Sequence, residues 1–199
     1  STFNISIVPE DDPAFNYAAA SFCQGDADPS PTITGTVGGS FSGPATVTIN
    51  ASTGEIDLSA STAGGPYTIT YTTAGTCPNS STFDISIDAE DDPSFNYASA
   101  SFCQDEADPS PTITGTAGGS FSGPAAVSVD PSTGVIDLSA STAGGPYTIT
   151  YTTAGTCPNS TTFNISIVAE DDPAFNYSSA AFCQGDADPS PTITGTTGG

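Results

Sequence analysis

The segment YTITYT at residues 67–72 indicates the fold class, because large apolar and small polar side chains alternate along it. Tyr67, Ile69 and Tyr71 fall on one face, and threonines fall on the other. Successive side chains of a β-strand point to opposite faces, so this period of two predicts a strand with one buried face. The threonines favour the same structure, since β-branched residues are enriched in strands.

Shorter alternating segments surround this strand and are separated by turn residues. Val47 and Ile49 alternate with threonines, and Ile56 and Leu58 continue the pattern after a break. Turns are predicted at Gly38-Gly39, at residues 50–54 and at Gly64-Gly65-Pro66. No segment has the period of a helix. Short strands with a turn about every ten residues predict an antiparallel, immunoglobulin-like β-sandwich.

The chain repeats itself at a long and constant period. STFNISI at residues 1–7 returns as STFDISI at 81–87 and as TTFNISI at 161–167. Only 14 of the 80 aligned positions differ between residues 1–80 and 81–160, and 6 of 39 differ between residues 1–39 and 161–199. A period this long exceeds the ~20–50 residues of solenoid units and predicts one small β-domain per copy, with the copies arranged as an extended rod.

The acidic motif EDDP marks the predicted borders, because proline ends a strand ladder and stiffens the chain. It begins at Glu10, Glu90 and Glu170. We therefore expect residues 1–8 to be the last strand of a preceding repeat and residues 169–199 to begin a further, truncated repeat. The predicted complete sandwich repeats are residues 9–88 and 89–168.

The charge composition excludes several functions. The chain has no Lys, Arg or His against 22 Asp plus Glu, which gives a formal net charge of −22. Binding to nucleic acid or to an anionic membrane surface requires basic residues, so neither partner is expected. No apolar run is long enough to insert into a bilayer. Catalysis that needs an imidazole base or a lysine Schiff base is also excluded, and no enzyme activity is expected.

Two cysteines occur in each full period, and two regular pairings are possible. Bonds Cys23–Cys77 and Cys103–Cys157 would close each domain on itself, with Cys183 pairing beyond the segment. Bonds Cys77–Cys103 and Cys157–Cys183 would instead link neighbouring domains. We prefer the first pairing, because a small sandwich core gains most from an internal bridge, about 4 kcal/mol for a loop of this size. Either pairing requires an oxidising compartment and therefore export.

The acidic clusters are candidates for a calcium site, since Ca²⁺ takes 6–8 oxygen ligands and could stiffen a linker. The alternative is that these carboxylates cap turns and solvate the surface. No other cofactor is expected. The candidate ligands are Glu10, Asp11, Asp12, Asp26, Asp28, Glu90, Asp91, Asp92, Asp108, Glu170, Asp171 and Asp172.

The repeat resembles those of giant cell-surface adhesins of gliding Bacteroidetes, the SprB type. The resemblance covers all copies and rests on four segments: Phe22-Cys23-Gln24, residues 28–35 (DPSPTITG), residues 49–62 (INASTGEIDLSAST) and residues 67–73 (YTITYTT). It implies type IX secretion, an immunoglobulin-like sandwich and a long surface filament that serves attachment or gliding.

These observations predict a structural stalk segment of an extracellular adhesin, whose partners are neighbouring repeats and an unknown surface or glycan target. Near-identical copies favour such a role, because repetition adds length with constant spacing. One alternative is a carbohydrate-binding module that acts by avidity, with Phe15, Tyr17 and Phe22 stacking on sugars. Core packing is the preferred use of these rings. The other alternative is a laterally assembling fibre or surface-layer subunit.

Overall fold

The computed structural model describes residues 2–196, and these residues form strands and turns with no helix, so the all-β prediction is confirmed. They divide into two compact units. One unit contains the described residues up to Pro93 together with Gly115–Ala117 and Thr153–Asn159. The other contains Ser94–Thr114, Gly118–Thr152 and the described residues from Ser160 onward.

The first copy forms one four-stranded sheet and two short ribbons. Its strands are β1 (Phe15–Asn16), β2 (Ser21–Cys23), β3 (Thr32–Ile33), β4 (Ser40–Ser42), β5 (Thr48–Ile49), β6 (Ile56–Asp57), β7 (Gly64–Thr72) and β8 (Ser80–Asp88). The sheet has the order β2-β8-β7-β4, and the ribbons are β1-β3 and β5-β6. Only β2 and β8 run parallel, and the other pairs in this copy are antiparallel.

The second copy repeats this topology. Its strands are β9 (Phe95–Asn96), β10 (Ser101–Cys103), β11 (Thr112–Ile113), β12 (Ser120–Ser122), β13 (Ser128–Val129), β14 (Ile136–Asp137), β15 (Gly144–Thr152) and β16 (Ser160–Val168). The sheet order is β10-β16-β15-β12, and β10 is again parallel to its neighbour. The described part of the third copy contains the ribbon of β17 (Phe175–Asn176) and β18 (Thr192–Ile193).

The long hairpin of β7 and β8 follows from the alternating pattern. Ile69 pairs with Phe83 and Tyr67 with Ile85, so apolar residues meet apolar residues across the two strands. The turn predicted at Gly64-Gly65-Pro66 is wrong, because these residues lie inside β7, where the register shifts before Tyr67. The glycines fit this irregularity, since Gly65 has φ +136°, which L side chains rarely adopt.

The core of the first copy lies between the sheet and the ribbons, and its innermost side chains come from the predicted alternating segments. Ile56, Leu58, Ile69, Tyr71 and Ile87 are each 0% exposed. The second copy buries the equivalent residues. At about 25 cal/mol per Å² of apolar surface removed from water, this burial is the main favourable contribution to folding.

The turn predicted at residues 50–54 is present and helps to hold the core. Asn50 Oδ1 accepts the backbone N–H groups of Ser52 and Thr53 at 2.9 and 3.2 Å. Gly54 ends the turn at φ +74°. The buried Tyr17 hydroxyl donates to the Gly54 carbonyl oxygen at 2.6 Å, and burial raises the pKa of this tyrosine above its usual value.

Residues 2–8 do not form the strand that their alternation predicts. Phe3 is 95% exposed. Ile7 is 92% exposed, whereas Ile87, which occupies the position of Ile7 in β8, is fully buried. The difference is pairing: β8 is hydrogen-bonded between β7 and β2, whereas residues 2–8 pair with no strand of the described residues. An alternating segment needs a hydrogen-bonded neighbour to become a strand.

Candidate functional site: a disulfide-linked repeat junction

The structure joins Cys23 of the first copy to Cys157 of the second, across a sequence separation of 134 residues, with the two Cα atoms 5.5 Å apart. Both residues belong to the same compact unit. The preferred pairing, Cys23–Cys77 with Cys103–Cys157, is therefore wrong. The pairing of Cys77 with Cys103 and Cys157 with Cys183 does not occur either, since Cys77, Cys103 and Cys183 carry no disulfide in this chain.

The position of Cys23 explains this result. Strand β2 runs parallel to β8, and Cys23 aligns with Asp88, the last residue of β8. The backbone N–H of Gln24 continues the pairing and donates to the Asp88 carbonyl oxygen at 3.0 Å. Cys23 therefore lies where the first copy ends and the linker to the second copy begins.

The linker residue Asp91 binds the loop that carries Cys157. Its backbone N–H donates to the Cys157 carbonyl oxygen at 2.9 Å, and its Oδ2 accepts the N–H of Gly155 at 2.8 Å. A Cβ at Gly155 would clash with both carboxylate oxygens of Asp91. Glycine at this position allows the close approach of the carboxylate, and a larger residue would displace the Asp91 side chain.

A second linker residue, Glu90, holds the loop that follows Cys23. Its Oε1 accepts the backbone N–H of Gly25 at 2.8 Å. The same loop is closed from within, since Asp26 Oδ2 accepts the N–H of Cys23 at 2.8 Å. Neighbouring acidic residues of one linker thus contact the loops on both sides of the disulfide, and charge-assisted hydrogen bonds of this kind are stronger than neutral ones.

Other predicted calcium ligands are also engaged by donors of the protein. Asp12 Oδ1 accepts the N–H of Ala14 at 3.0 Å, and Asp172 Oδ1 accepts that of Ala174 at 2.9 Å. Three further contacts are Asn79 Nδ2 to Glu10 Oε2 at 3.3 Å, Leu58 N–H to Asp28 at 3.0 Å and Leu138 N–H to Asp108 at 3.0 Å.

Asp11 and Asp92 also make hydrogen bonds, and that of Asp92 recurs at the equivalent Asp12 and Asp172. Asp11 Oδ2 accepts the Thr73 hydroxyl at 3.0 Å, and the Asp92 N–H donates to Thr116 Oγ1 at 3.2 Å. Glu170 and Asp171 line a small cavity beside Cys103. Within residues 2–196, no three acidic, histidine or cysteine residues come together as a metal site. The calcium hypothesis is therefore not confirmed, and the contacts observed are those of the capping alternative.

The surroundings of Cys103 make its thiol harder to ionise than an ordinary cysteine. Burial raises the pKa of the Cys103 thiol, and the carboxylates of Glu106, Asp105 and Asp171 raise it further. A negative neighbour disfavours the thiolate, so this thiol is protonated at pH values where an ordinary cysteine begins to ionise.

The aromatic residues considered for sugar stacking pack in or against the core. Tyr17 is 3% exposed, and the Phe15 ring lies 5.5 Å from that of Phe41 and 5.8 Å from that of Tyr71. Phe22 is half-buried against the same cluster. The preferred assignment of these rings to core packing is confirmed.

Sequence reasoning missed the partners of the junction cysteines. Spacing alone does not reveal that the strand of Cys23 runs parallel to the last strand of its copy. One signal was present, because the segment AGTC at residues 74–77 and 154–157 contains the glycine that approaches an aspartate.

Comparisons with known proteins give a limited result. No protein-family model matches the chain, and no curated protein matches it. Solved structures of cadherin fragments resemble it weakly. Mouse cadherin-23 EC22-24 is 13% identical over 83% of this chain and 69% of that chain, with a TM-score of 0.35. Human CDH23 EC21-23 is 13% identical over 83% and 66%, with a TM-score of 0.36.

A fragment with protocadherin gamma B2 extracellular cadherin domains 3-6 is 15% identical, with a TM-score of 0.33. The match covers 88% of this chain and 54% of the protocadherin fragment, so this chain spans about half of that fragment's length. Likeness at this level supports no functional inference. The described residues also contain no helix with the length and apolarity to cross a membrane.

Proposed function

We propose that this chain is a structural stalk segment of a long extracellular adhesin and has no enzymatic role. The observation that carries the proposal is the Cys23–Cys157 bond, which covalently links one copy of the repeat to the next. A covalent link between successive copies suits a protein that transmits tension, because the link resists separation of the two joined segments. Disulfides also persist only in oxidising compartments, which supports an extracellular location.

The charge of the repeat suits the same role. A chain with 22 acidic and no basic residues repels itself and its copies at short range, within a Debye length of about 8 Å at physiological ionic strength. Like charge therefore opposes collapse and lateral association. This favours a stalk over a laterally assembling fibre or surface layer.

The resemblance to SprB-type repeats supports a more specific proposal. The filament would be exported by type IX secretion and would present an adhesive tip for surface attachment or gliding. The predicted domain borders at residues 8/9, 88/89 and 168/169 belong to this proposal, since each stalk unit is one copy of the repeat. No observation favours carbohydrate binding by each copy, because the aromatic residues considered for it pack in or against the core.

Calcium binding at the acidic linkers stays a prediction. A bound ion would stabilise the folded chain by mass action, so EDTA would lower the melting temperature and added Ca²⁺ would restore it. The measurement is thermal unfolding of the chain in Ca²⁺, in EDTA and in Mg²⁺. Identical melting temperatures in all three would contradict this prediction.

Single-molecule stretching of the chain between its ends tests the stalk proposal. The disulfide holds the residues between Cys23 and Cys157, 134 positions apart, out of the extension. At about 3.4 Å per extended residue, the fully unfolded length should be shorter by about 450 Å in the oxidised chain than in the reduced chain. We expect the oxidised chain to keep this restriction up to forces that unfold the sheets.

Variants provide the control for the stretching experiment. Cys157→Ser should give the long extension without reductant, whereas Cys183→Ser, which removes a cysteine without a disulfide, should leave the oxidised length unchanged. The stalk proposal is contradicted if the oxidised and reduced chains unfold to the same length.

A further inference from the structure

Two cysteines without a disulfide lie in the same local structure as the two that are bonded. The first is Cys77, the equivalent of Cys157. The Asp11 N–H donates to the Cys77 carbonyl oxygen at 3.0 Å, as Asp91 does to Cys157 at 2.9 Å. The Sγ of Cys77 lies 3.7 Å from the Val8 carbonyl oxygen, and that of Cys157 lies 3.9 Å from the equivalent oxygen of Asp88.

The second is Cys103, the equivalent of Cys23. Its N–H donates to Glu106 Oε2 at 3.2 Å, just as Cys23 donates to Asp26 at 2.8 Å. The next residue pairs in the same way in both copies: the Gln104 N–H donates to the Val168 carbonyl oxygen at 3.0 Å, as the Gln24 N–H does to that of Asp88. Each cysteine is therefore presented by the same backbone pairing.

A cavity beside Cys103 provides an independent observation. It has a volume of about 240 Å³, and the residues that line it are Cys103, Asp105, Val168, Ala169, Glu170 and Asp171. The equivalents of this set in the preceding copy include Cys23, Asp88 and Asp91. These three contact the loop of Gly155, Thr156 and Cys157. The contacts are the disulfide, two close approaches of sulfur to a carbonyl oxygen, one backbone hydrogen bond and one hydrogen bond to the Asp91 carboxylate. The cavity therefore matches a Gly-Thr-Cys loop.

We propose that the repeat has a fixed disulfide register, in which the first cysteine of each copy bonds the second cysteine of the following copy. The sequence separation in this register is the 134 residues that separate Cys23 from Cys157. Cys103 and Cys77 are then two complementary half-sites. Each takes as its partner the complementary cysteine of another copy of this repeat, and the Gly-Thr-Cys loop of that copy fills the cavity beside Cys103. This goes beyond the stalk role, because it assigns bonding partners to cysteines that have none in this chain.

The bond forms by thiol–disulfide exchange with an external disulfide. One thiolate attacks that disulfide and releases its first thiol, and the complementary thiolate then attacks the mixed disulfide and releases the second. A bond between two Sγ atoms forms, the two thiol protons of the protein pass to the released thiolates, and the external disulfide is reduced by two electrons. Oxidised glutathione supplies this reagent in vitro.

A lengthened chain tests the register. In it, a second copy of residues 81–160 is inserted directly after residue 160, and the protein is refolded with reduced and oxidised glutathione. Disulfides are then mapped without reductant, using a protease specific for acidic residues because the chain has no Lys or Arg. We expect Cys23 bonded to Cys157, and Cys103 bonded to the AGTC cysteine of the inserted copy, at the same sequence separation.

The matched control is Cys157→Ser in the lengthened chain, which should remove the Cys23 bond and leave that of Cys103 intact. A bond from Cys103 to Cys77 or Cys157 of the same chain, or a Cys103 that remains a thiol while Cys23–Cys157 forms, overturns the proposal. These outcomes leave the stalk proposal standing, since the stretching experiment depends only on the Cys23–Cys157 bond.

The source of the partner copy is decided with the original chain, without the insertion. Oxidised glutathione is added at increasing protein concentration, and the products are separated without reductant. A covalent dimer that maps to Cys103 of one chain and Cys77 of another supports the register with a second chain as the source. A monomer that retains both thiols, together with the expected map of the lengthened chain, supports the register with a continuous chain as the source.

Discussion

The Cys77 loop and the Cys157 loop have the same sequence, AGTC, but only the second carries a disulfide. Both bind the aspartate of the linker that precedes their copy, and both place sulfur near a backbone carbonyl oxygen. They differ in the cysteine that faces them: Cys23 of the preceding copy meets Cys157, whereas no cysteine of the described residues meets Cys77. Local sequence therefore sets the conformation of the loop, whereas the preceding copy decides whether the bond forms.

The largest effect is expected when the cysteine is removed from each loop. Cys157→Ser should lower the free energy of unfolding by about 5 kcal/mol, because a closed loop of 134 residues is released in the unfolded chain. Cys77→Ser should change it by less than about 1 kcal/mol, since no covalent link is lost. Denaturant unfolding without reductant measures both values, and equal effects would show that the two loops do not differ as described.

A smaller effect is expected from the glycine of each loop. Gly155→Ala and Gly75→Ala both place a methyl group against the carboxylate oxygens of the linker aspartate, closer than van der Waals contact allows. Each substitution should destabilise by about 1–3 kcal/mol through overpacking and loss of the hydrogen bonds to that aspartate.

Refolding sharpens the comparison of the glycines. Gly155→Ala should also slow the formation of the Cys23–Cys157 bond, because the loop that presents Cys157 is displaced. The measurement is the fraction of oxidised chain against time in a glutathione buffer, with Gly75→Ala as the matched control. Equal oxidation rates for the two variants would contradict the assigned role of the Asp91–Gly155 contact.

The smallest expected effect concerns a turn in which the copies differ, Asn50 in the first and Asp130 in the second. Hydrogen bonds from the Ser132 hydroxyl, and then from the N–H groups of Thr133 and Ser132, lower the pKa of Asp130 from 3.8 to about 2. The lowered pKa means that this carboxylate stabilises the fold above about pH 4. The contribution is lost as the pH falls from about 4 to 2.

Asp130→Asn should remove this part of the acid sensitivity, and Asn50→Asp should introduce it into the first copy. The measurement is thermal unfolding between pH 5 and pH 2. The difference in melting temperature between the original chain and each variant should shrink toward low pH. A difference that stays constant over this range would exclude the turn as its source.

The fold was largely predictable because its information is local. Alternation identifies β5–β8, and the residues of the alternating faces, including Ile56, Leu58 and Ile69, form the innermost core. The tight turn at residues 50–54 follows from a side-chain cap and a glycine. The bulge at Gly64–Tyr67 was not predictable, since glycine and proline indicate a turn in isolation and here are kept in β7 by pairing with β8.

The repeat and its period, the all-β class, the absence of basic groups and the spacing of cysteines were determined by the sequence alone. Only the tertiary structure decided which cysteines meet, and it left residues 2–8 without a strand although β8 has almost the same sequence. The physical reason is the same in both cases. A strand or a disulfide needs a second partner, and its position depends on long-range pairing that no local pattern encodes.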